Sequence, residues 1–189
     1  MSASRTSQAG ANSLMPQLKD LITYIQQRGE HISKSKRGRL LKVSLSIIQE
    51  FVTASQFTRQ LLNGYQMHHV LLFIISQQQL HQQNNQEVIS KDHDINAKIL
   101  DIFVLWLNTD SQQIESFLAR KQTLEVLFNI FLTQQQPKNK VYQYVFGALN
   151  RIITSSMLVS KSLFQNEVLM EKLVSSIIVF NQMLIKQSQ

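Results

Sequence analysis

The stretch ESFLARKQTLEVLFNIF, from Glu115 to Phe131, decides the fold of this 189-residue chain because its pattern occurs three times. The segment TRQLLNGYQMHHVLLFII, from Thr58 to Ile75, places apolar residues at the same positions 56 residues earlier. The segment SKSLFQNEVLMEKLVSSII, from Ser160 to Ile178, does so 46 residues later. Apolar residues recur every three or four positions in all three segments, which is typical of amphipathic helices. The chain therefore contains three copies of one helical unit.

The same two offsets relate the neighbouring segments. The helical pattern of NAKILDIFVLWLN, from Asn96 to Asn108, also appears 56 positions earlier and 46 positions later. Each copy therefore reads as a long helix, a short helix and a long helix, over about residues 36–82, 94–136 and 138–186. The expected helices are about Lys36–Thr53, Gln56–Asn63, Gln66–Gln82, Asp94–Asn108, Ser111–Ala119, Gln122–Gln135, Lys138–Ser155, Val159–Gln165 and Glu167–Lys186.

Two segments lie outside this pattern. A further helix from Leu14 to Arg28 precedes the first copy, and we expect residues 1–12 to be a disordered tail, so that residues 13–189 form a single domain. The difference between the two offsets falls in the glutamine-rich segment Gln77–Asp94. Since surface loops tolerate insertions, we expect a flexible loop there.

The composition favours an all-α, intracellular protein. The chain has only 5 glycines and 2 prolines, too few for the many turns of a β-rich domain. It has no cysteine, which excludes disulfides and thiol chemistry. No apolar run reaches the ~18–20 residues of a membrane-spanning helix. We expect a cytoplasmic location without a transmembrane segment, and the nucleus is the alternative.

A helical unit of about 46 residues with a short middle helix resembles the armadillo repeat of the armadillo and HEAT superfamily. The resemblance covers about Lys36 to Lys186 and lies in the repeated pattern. It implies a right-handed α-solenoid of about three armadillo-like three-helix repeats, with the N-terminal helix as a cap. Each unit has an apolar face that it cannot bury alone, so stacked copies would share one continuous core.

The resemblance also implies a binding groove, because third helices line the concave surface of armadillo proteins. The groove residues lie opposite the buried stripe of each third helix. They are Gln66, His69, Phe73 and Gln77 in the first copy, Gln122, Glu125, Asn129 and Thr133 in the second, and Val168, Glu171, Ser175 and Val179 in the third. The family uses an asparagine at the place of Asn129 to hold an extended peptide, whereas Phe73 suits an apolar partner helix. The alternative is a solvated polar face.

A basic run, KSKRGRLLK, is the second candidate surface. Residues 1–60 hold nine Lys or Arg and three Asp or Glu, a net charge of +6, whereas residues 61–189 carry +1. Such a cluster binds nucleic acid, anionic lipid or an acidic protein, or acts as a nuclear import signal. The lack of interleaved aromatic residues weighs against nucleic acid, and a solvated helix start is the alternative. The cations are Lys34, Lys36, Arg37, Arg39 and Lys42.

The sequence carries no motif of catalysis or metal binding. It has no HExxH motif, glycine-rich phosphate loop or GxSxG motif. His68 and His69 are adjacent and point about 100° apart on a helix, so they cannot chelate one metal well. His68 takes the inward place of Leu124 and Met170 in the other copies, so we expect it to be buried and hydrogen-bonded. We expect no enzyme activity, metal or cofactor.

The leading hypothesis is a non-catalytic adaptor or scaffold that binds another protein, as a peptide or a helix, through the third-helix groove. One alternative is a structural subunit of a multi-subunit complex. The other is a binder of nucleic acid or an anionic surface through the basic run, whose affinity would fall steeply with salt.

Overall fold

The computed structural model describes residues 3–27, 34–84, 89–109, 111–132 and 140–187. Within these residues the secondary structure is helical and no strand occurs, which confirms the all-α class. The helices are α1 (Ala3–Gln27), α2 (Lys34–Ala54), α3 (Gln56–Gly64), α4 (Met67–Asn84), α5 (Ile89–Thr109), α6 (Ser111–Leu118), α7 (Lys121–Leu132), α8 (Lys140–Ser155), α9 (Met157–Phe164) and α10 (Glu167–Gln187).

The helices follow the order expected of three copies. Helices α2–α4, α5–α7 and α8–α10 each run long, short and long, and most of their ends lie within a few residues of the predicted ones. The second and third copies keep their offset closely: α6 and α9 begin at Ser111 and Met157, and α7 and α10 begin at Lys121 and Glu167, in both cases 46 residues apart. The repeated pattern therefore predicts both the type and the order of these helices.

Two short helices begin at a serine that caps them. The Oγ atom of Ser55 accepts a hydrogen bond from the backbone N–H of Thr58, and the Thr58 hydroxyl accepts one from the N–H of Ser55, so the two residues form a capping box. Ser156 caps α9 in the same way, with its Oγ 3.0 Å from the N–H of Val159. These caps fix where the chain turns from a first helix into a second.

The structure corrects two expectations about the segments between and before the copies. Helix α1 begins at Ala3, so residues 3–12, expected to be a disordered tail, form the first turns of a helix. Most of the Gln77–Asp94 segment is helical as well, because α4 continues to Asn84 and α5 begins at Ile89. Alanine, glutamine and arginine are good helix formers, which favours these helical turns. Residues 85–88 lie outside the described residues.

Corresponding helices of successive copies contact one another. Helix α5 packs on α2 and on α8, and α7 packs on α4 and on α10. The short helices α6 and α9 are also in contact. Helix α1 contacts α2, α3 and α4 and buries its apolar stripe on them: Met15, Leu18, Ile22 and Ile25. The first copy is therefore covered by α1 on one side and by the second copy on the other.

The core runs through all three copies and is densest in the middle one. Helix α5 lies between α2 and α8, and its apolar side chains are buried on several sides at once, including Trp106 and Phe103, the largest fully buried side chains. Val43 of α2 is exposed, whereas the equivalent Ile99 of α5 is fully buried. Helix α5 has a corresponding helix on each side, α2 and α8, whereas α2 has only α5. This difference explains why the same position is buried in α5 and exposed in α2.

Polar side chains also link successive copies. The Nζ atom of Lys98 donates to the Oγ of Ser46 at 2.6 Å, joining α5 to α2. Tyr144, 46 residues after Lys98, donates its hydroxyl to Asp101 and so joins α8 to α5. Arg151 reaches the other oxygen of the same carboxylate at 2.8 Å. Equivalent positions therefore donate to the preceding copy at both junctions.

Ser156 is expected to matter more for stability than Ser55. Ser156 is buried, and besides capping α9 it donates to Glu115 Oε1 of the preceding copy at 2.5 Å. Ser156→Ala removes a cap and leaves a carboxylate without its donor, so we expect the free energy of unfolding to fall by about 2–3 kcal/mol. Ser55→Ala, at an exposed cap, should cost about 1 kcal/mol.

Urea unfolding of the two variants and the wild type measures this difference. A Ser156→Ala, Glu115→Ala double variant supplies the coupling between the two side chains. Equal losses for Ser55→Ala and Ser156→Ala would show that the link between copies contributes nothing beyond the cap.

Candidate functional site

The third helices of the three copies form one row. Helix α4 contacts α7, and α7 contacts α10. In the first two copies one side of this row is buried in the core, as predicted: Leu71 and Ile75 in α4 and Leu127 and Phe131 in α7 are all buried. In α10 the prediction is wrong for Val174 and Ile177, which are exposed. The predicted groove residues lie on the other side of the same helices. We call this side the third-helix surface and define it by those twelve groove residues.

The third-helix surface is open to solvent along its described length. In the first copy Gln66, His69 and Phe73 are exposed and Gln77 is half-buried. In the second copy Gln122 is exposed, whereas Glu125 and Asn129 are half-buried; in α10, Val168, Glu171 and Ser175 are exposed. The predicted Thr133 and the side chain of Val179 lie outside the described residues. The spacing therefore places the described groove residues on an accessible side of the row.

Phe73 is the large apolar residue at the centre of the first part of this surface. Its side chain is 49% exposed although it lies in the middle of α4. Polar residues flank it along the helix, with His69 one turn before it and Gln77 one turn after it. Aromatic residues, phenylalanine included, are enriched at protein–protein interfaces, so Phe73 is a candidate contact residue.

The surface begins at a strained residue. Gln66, between α3 and α4, has a φ of 54°, in the left-handed region that a non-glycine residue rarely adopts. Its carbonyl accepts from the N–H of His69 at 2.9 Å, and its own N–H donates to the carbonyl of Asn63 at 2.9 Å. These bonds hold the tight turn that directs α4 away from α3.

An aromatic cluster joins the third-helix surface to the core. The rings of His68 and His69 lie 4.6 Å and 4.8 Å from the ring of Phe117 in α6. The Arg120 guanidinium carbon is 5.7 Å from the centroid of the same ring. His69 is therefore both a surface residue and a contact between the first and second copies.

His68 is the buried member of this cluster. It is 6% exposed, as predicted, but the expected hydrogen bond is not found for one atom, since Nδ1 has no partner among the described residues. Within the same residues the indole N–H of Trp106, whose ring centroid is 6.1 Å away, also lacks one. Burial, aided by the charges of His69 and Arg120, lowers the pKa of His68 to about 4.

The basic run occupies the first two turns of α2. Lys36, Arg39 and Lys42 are exposed and recur every three residues, so they lie along one side of the helix. Arg37 is half-buried and projects elsewhere, while the side chain of Lys34 lies outside the described residues. The run thus presents a three-residue basic stripe.

An open hollow lies between the second and third copies at the ends of their short helices. Its volume is about 410 Å³, and both Lys121 and Glu167 line it beside the amide groups of Gln165 and Asn166. Charges of both signs at its rim favour no single class of ligand. Among the described residues, no three histidine or acidic side chains come together as metal ligands would.

Sequence reasoning missed the apolar residues that the third copy exposes. Phe146, Phe164, Val174 and Ile177 are all exposed, although each occupies a position that is apolar and buried in the second copy. The offset of 46 residues already contained this signal. It needed one further step, a check of which helices pack on the third copy: among the described residues α8, α9 and α10 contact the second copy and one another.

No protein-family model, curated protein or solved structure is significantly similar to the chain. Among the described helices, none is long and apolar enough to cross a membrane.

His68 should make the folded state less stable in acid. Its pKa of about 4 in the folded chain lies below the ordinary value of 6.5, so between these values the unfolded chain binds more protons. The free energy of unfolding should be highest above about pH 6.5 and fall as the pH approaches 4, with roughly 1–3 kcal/mol of this loss due to His68.

Urea unfolding at several pH values between about 4.5 and 7.5 checks this prediction. His68→Leu introduces the residue found at the equivalent position of α7 and should remove most of the acid sensitivity. His69→Leu is the matched control, because His69 is exposed and should affect the pH dependence less. An unchanged pH dependence in His68→Leu would contradict the prediction.

Proposed function

We propose that this chain is a non-catalytic, intracellular adaptor or scaffold that binds a partner protein through the third-helix surface. We further propose that it is built as a right-handed α-solenoid of three armadillo-like copies with α1 as a cap. The order of long and short helices, and the contacts between corresponding helices of successive copies, support this architecture.

The observation that carries the proposal is the exposure of Phe73 in the third-helix surface. The surrounding polar residues keep this surface hydrated, whereas burial of the phenyl ring against a partner lowers the free energy of the complex. Such a ring within a polar row favours a partner helix with an apolar residue that contacts Phe73. The resemblance suggests that Asn129 would hold an extended peptide. Asn129 is the one asparagine among the described groove residues, so this mode of binding has less support.

The charge of the third-helix surface defines its partner further. The twelve groove residues include two glutamates, Glu125 and Glu171, and no lysine or arginine, although the whole chain has a net charge of +7. A partner segment that combines an apolar residue with basic side chains would complement this surface. The third-helix surface and the basic run on α2 would therefore select different partners.

A second candidate function is that of a structural subunit in a larger assembly. It is favoured by the apolar residues that the third copy exposes, since large exposed apolar surfaces mark interaction sites. Binding of an anionic partner through Lys36, Arg39 and Lys42 is the third candidate.

Affinity capture from cells that express the chain tests the third-helix surface. We expect Phe73→Glu to lose at least one protein that the wild type retains, because a charge cannot be buried against an apolar partner. Tyr24→Glu is the matched control: its ring on α1 is 50% exposed, close to the 49% of Phe73, but it lies outside the third-helix surface. The captured proteins are compared by quantitative mass spectrometry.

A third variant, Lys36→Glu with Arg37→Glu and Arg39→Glu, separates the basic run from the third-helix surface. Loss of partners in this variant alone, with Phe73→Glu behaving as wild type, would contradict the proposal and assign binding to the basic run. For the partner that Phe73→Glu loses, hydrogen exchange in the complex should show protection in α4.

A further inference from the structure

Two polar side chains that can donate hydrogen bonds lie beside Phe73, where the first copy meets the second. His69 is exposed on α4, one turn before Phe73, and Arg120 is exposed immediately before α7. The ring centroid of His69 lies 4.8 Å from that of Phe117, and the guanidinium carbon of Arg120 lies 5.7 Å from the same centroid. Phe117 itself is 2% exposed. One buried ring therefore holds an imidazole and a guanidinium next to the third-helix surface.

Backbone hydrogen bonds fix the position of Arg120. Its N–H donates to the carbonyl of Phe117 at 3.3 Å, and its carbonyl accepts from the N–H of Leu124 at 3.0 Å. Its side chain forms no ion pair with another described residue. Burial, followed by the charge of Arg120, lowers the pKa of His69, so this charge acts on the exposed imidazole. The junction of the first two copies therefore presents a positive charge that no described carboxylate pairs with.

A carboxylate is the group that suits these two side chains. The planar guanidinium of arginine can bind both oxygens of one carboxylate, and an imidazole N–H can donate to it as well. Phe73 supplies an apolar contact one turn along α4. On a partner helix, residues three or four positions apart lie on the same side. A helix with an aspartate or glutamate one turn from an apolar residue would therefore complement this junction.

The rest of the third-helix surface has the opposite charge. The two offsets make Glu125 and Glu171 the equivalents of His69, so one position of the repeat carries an imidazole in the first copy and a carboxylate in the other two. Arg120 is likewise replaced, by Gly64 in the first copy and by Asn166 in the third. An acidic side chain is therefore attracted to the junction of the first two copies and repelled from the equivalent positions of the second and third.

We propose that Arg120, next to His69, binds a carboxylate side chain of the partner helix that covers Phe73. The inference rests on the proposed binding through the third-helix surface and adds the chemistry of one contact to it. Arg120 is not one of the twelve groove residues, so it adds a residue that selects the partner.

Selection from a phage-displayed library of random peptides tests this contact. Peptides of about 16 residues are long enough to form a helix on binding. The library is selected on the full wild-type chain, on Arg120→Glu and on Arg39→Glu, which makes the same charge change at an exposed arginine outside the third-helix surface. The peptides that no longer bind when Phe73→Glu is added to the same chain are then sequenced.

We expect the Phe73-dependent peptides selected on the wild type to be enriched in an aspartate or glutamate three or four positions from an apolar residue. Selection on Arg120→Glu should place lysine or arginine there, whereas Arg39→Glu should select the wild-type pattern. For a peptide selected on the wild type, Arg120→Glu should raise the dissociation constant about 10-fold or more, as measured by fluorescence anisotropy. Lysine in place of the acidic residue of this peptide should restore binding to Arg120→Glu, which also shows that the variant is folded.

Phe73-dependent peptides without an enriched acidic residue would overturn this inference and leave the proposed function in place. So would an acidic residue whose replacement by lysine leaves the dissociation constant for the wild type unchanged, or a change of pattern in Arg39→Glu as large as that in Arg120→Glu. If no selected peptide depends on Phe73, the proposed binding through the third-helix surface fails, and this inference fails with it.

Discussion

The whole structure depends on one constraint: each three-helix copy has apolar residues on two sides and can cover neither of them by itself. In this chain the first copy is covered by α1 and by the second copy, and the second copy by its two neighbours. Burial of apolar area is the main driving force of such packing, so the copies stabilise one another mainly through their junctions. The hydrogen bonds of Lys98, Tyr144 and Ser156 then fix how one copy sits on the next.

The sequence predicts the helices well because their apolar residues recur at two constant offsets. The pairs Leu71 and Leu127, and Ile75 and Phe131, are buried where the offset of 56 residues places them. The exposure of Phe73 follows from the same reasoning, since a residue on the side of the helix opposite the core stripe must face solvent. The sequence does not predict what the third-helix surface binds, because residues of the partner form half of that contact.

Other features require the structure because they depend on neighbours that are distant in sequence. A glutamine-rich segment has the composition of a loop, but helix propensity and the packing of the flanking turns extend α4 and α5 into it. The equivalence of His68 with Leu124 and Met170 indicates burial, but it cannot show that Nδ1 and the Trp106 N–H lack partners among the described residues. The rings of Trp106 and Phe117 lie beside His68, and burial, followed by the charges of His69 and Arg120, lowers the pKa of His68.

The contacts of α1 have a consequence for how the chain is made. Helix α1 packs on α2, α3 and α4, and each later copy packs on the copy synthesised before it. Proteins emerge from the ribosome N-terminus first, so α1 and the first copy can pack while the rest is still being translated. At every later stage the growing chain presents one uncovered apolar side, which the next copy closes. In the third copy the exposed apolar residues include Phe146, Phe164, Val174 and Ile177.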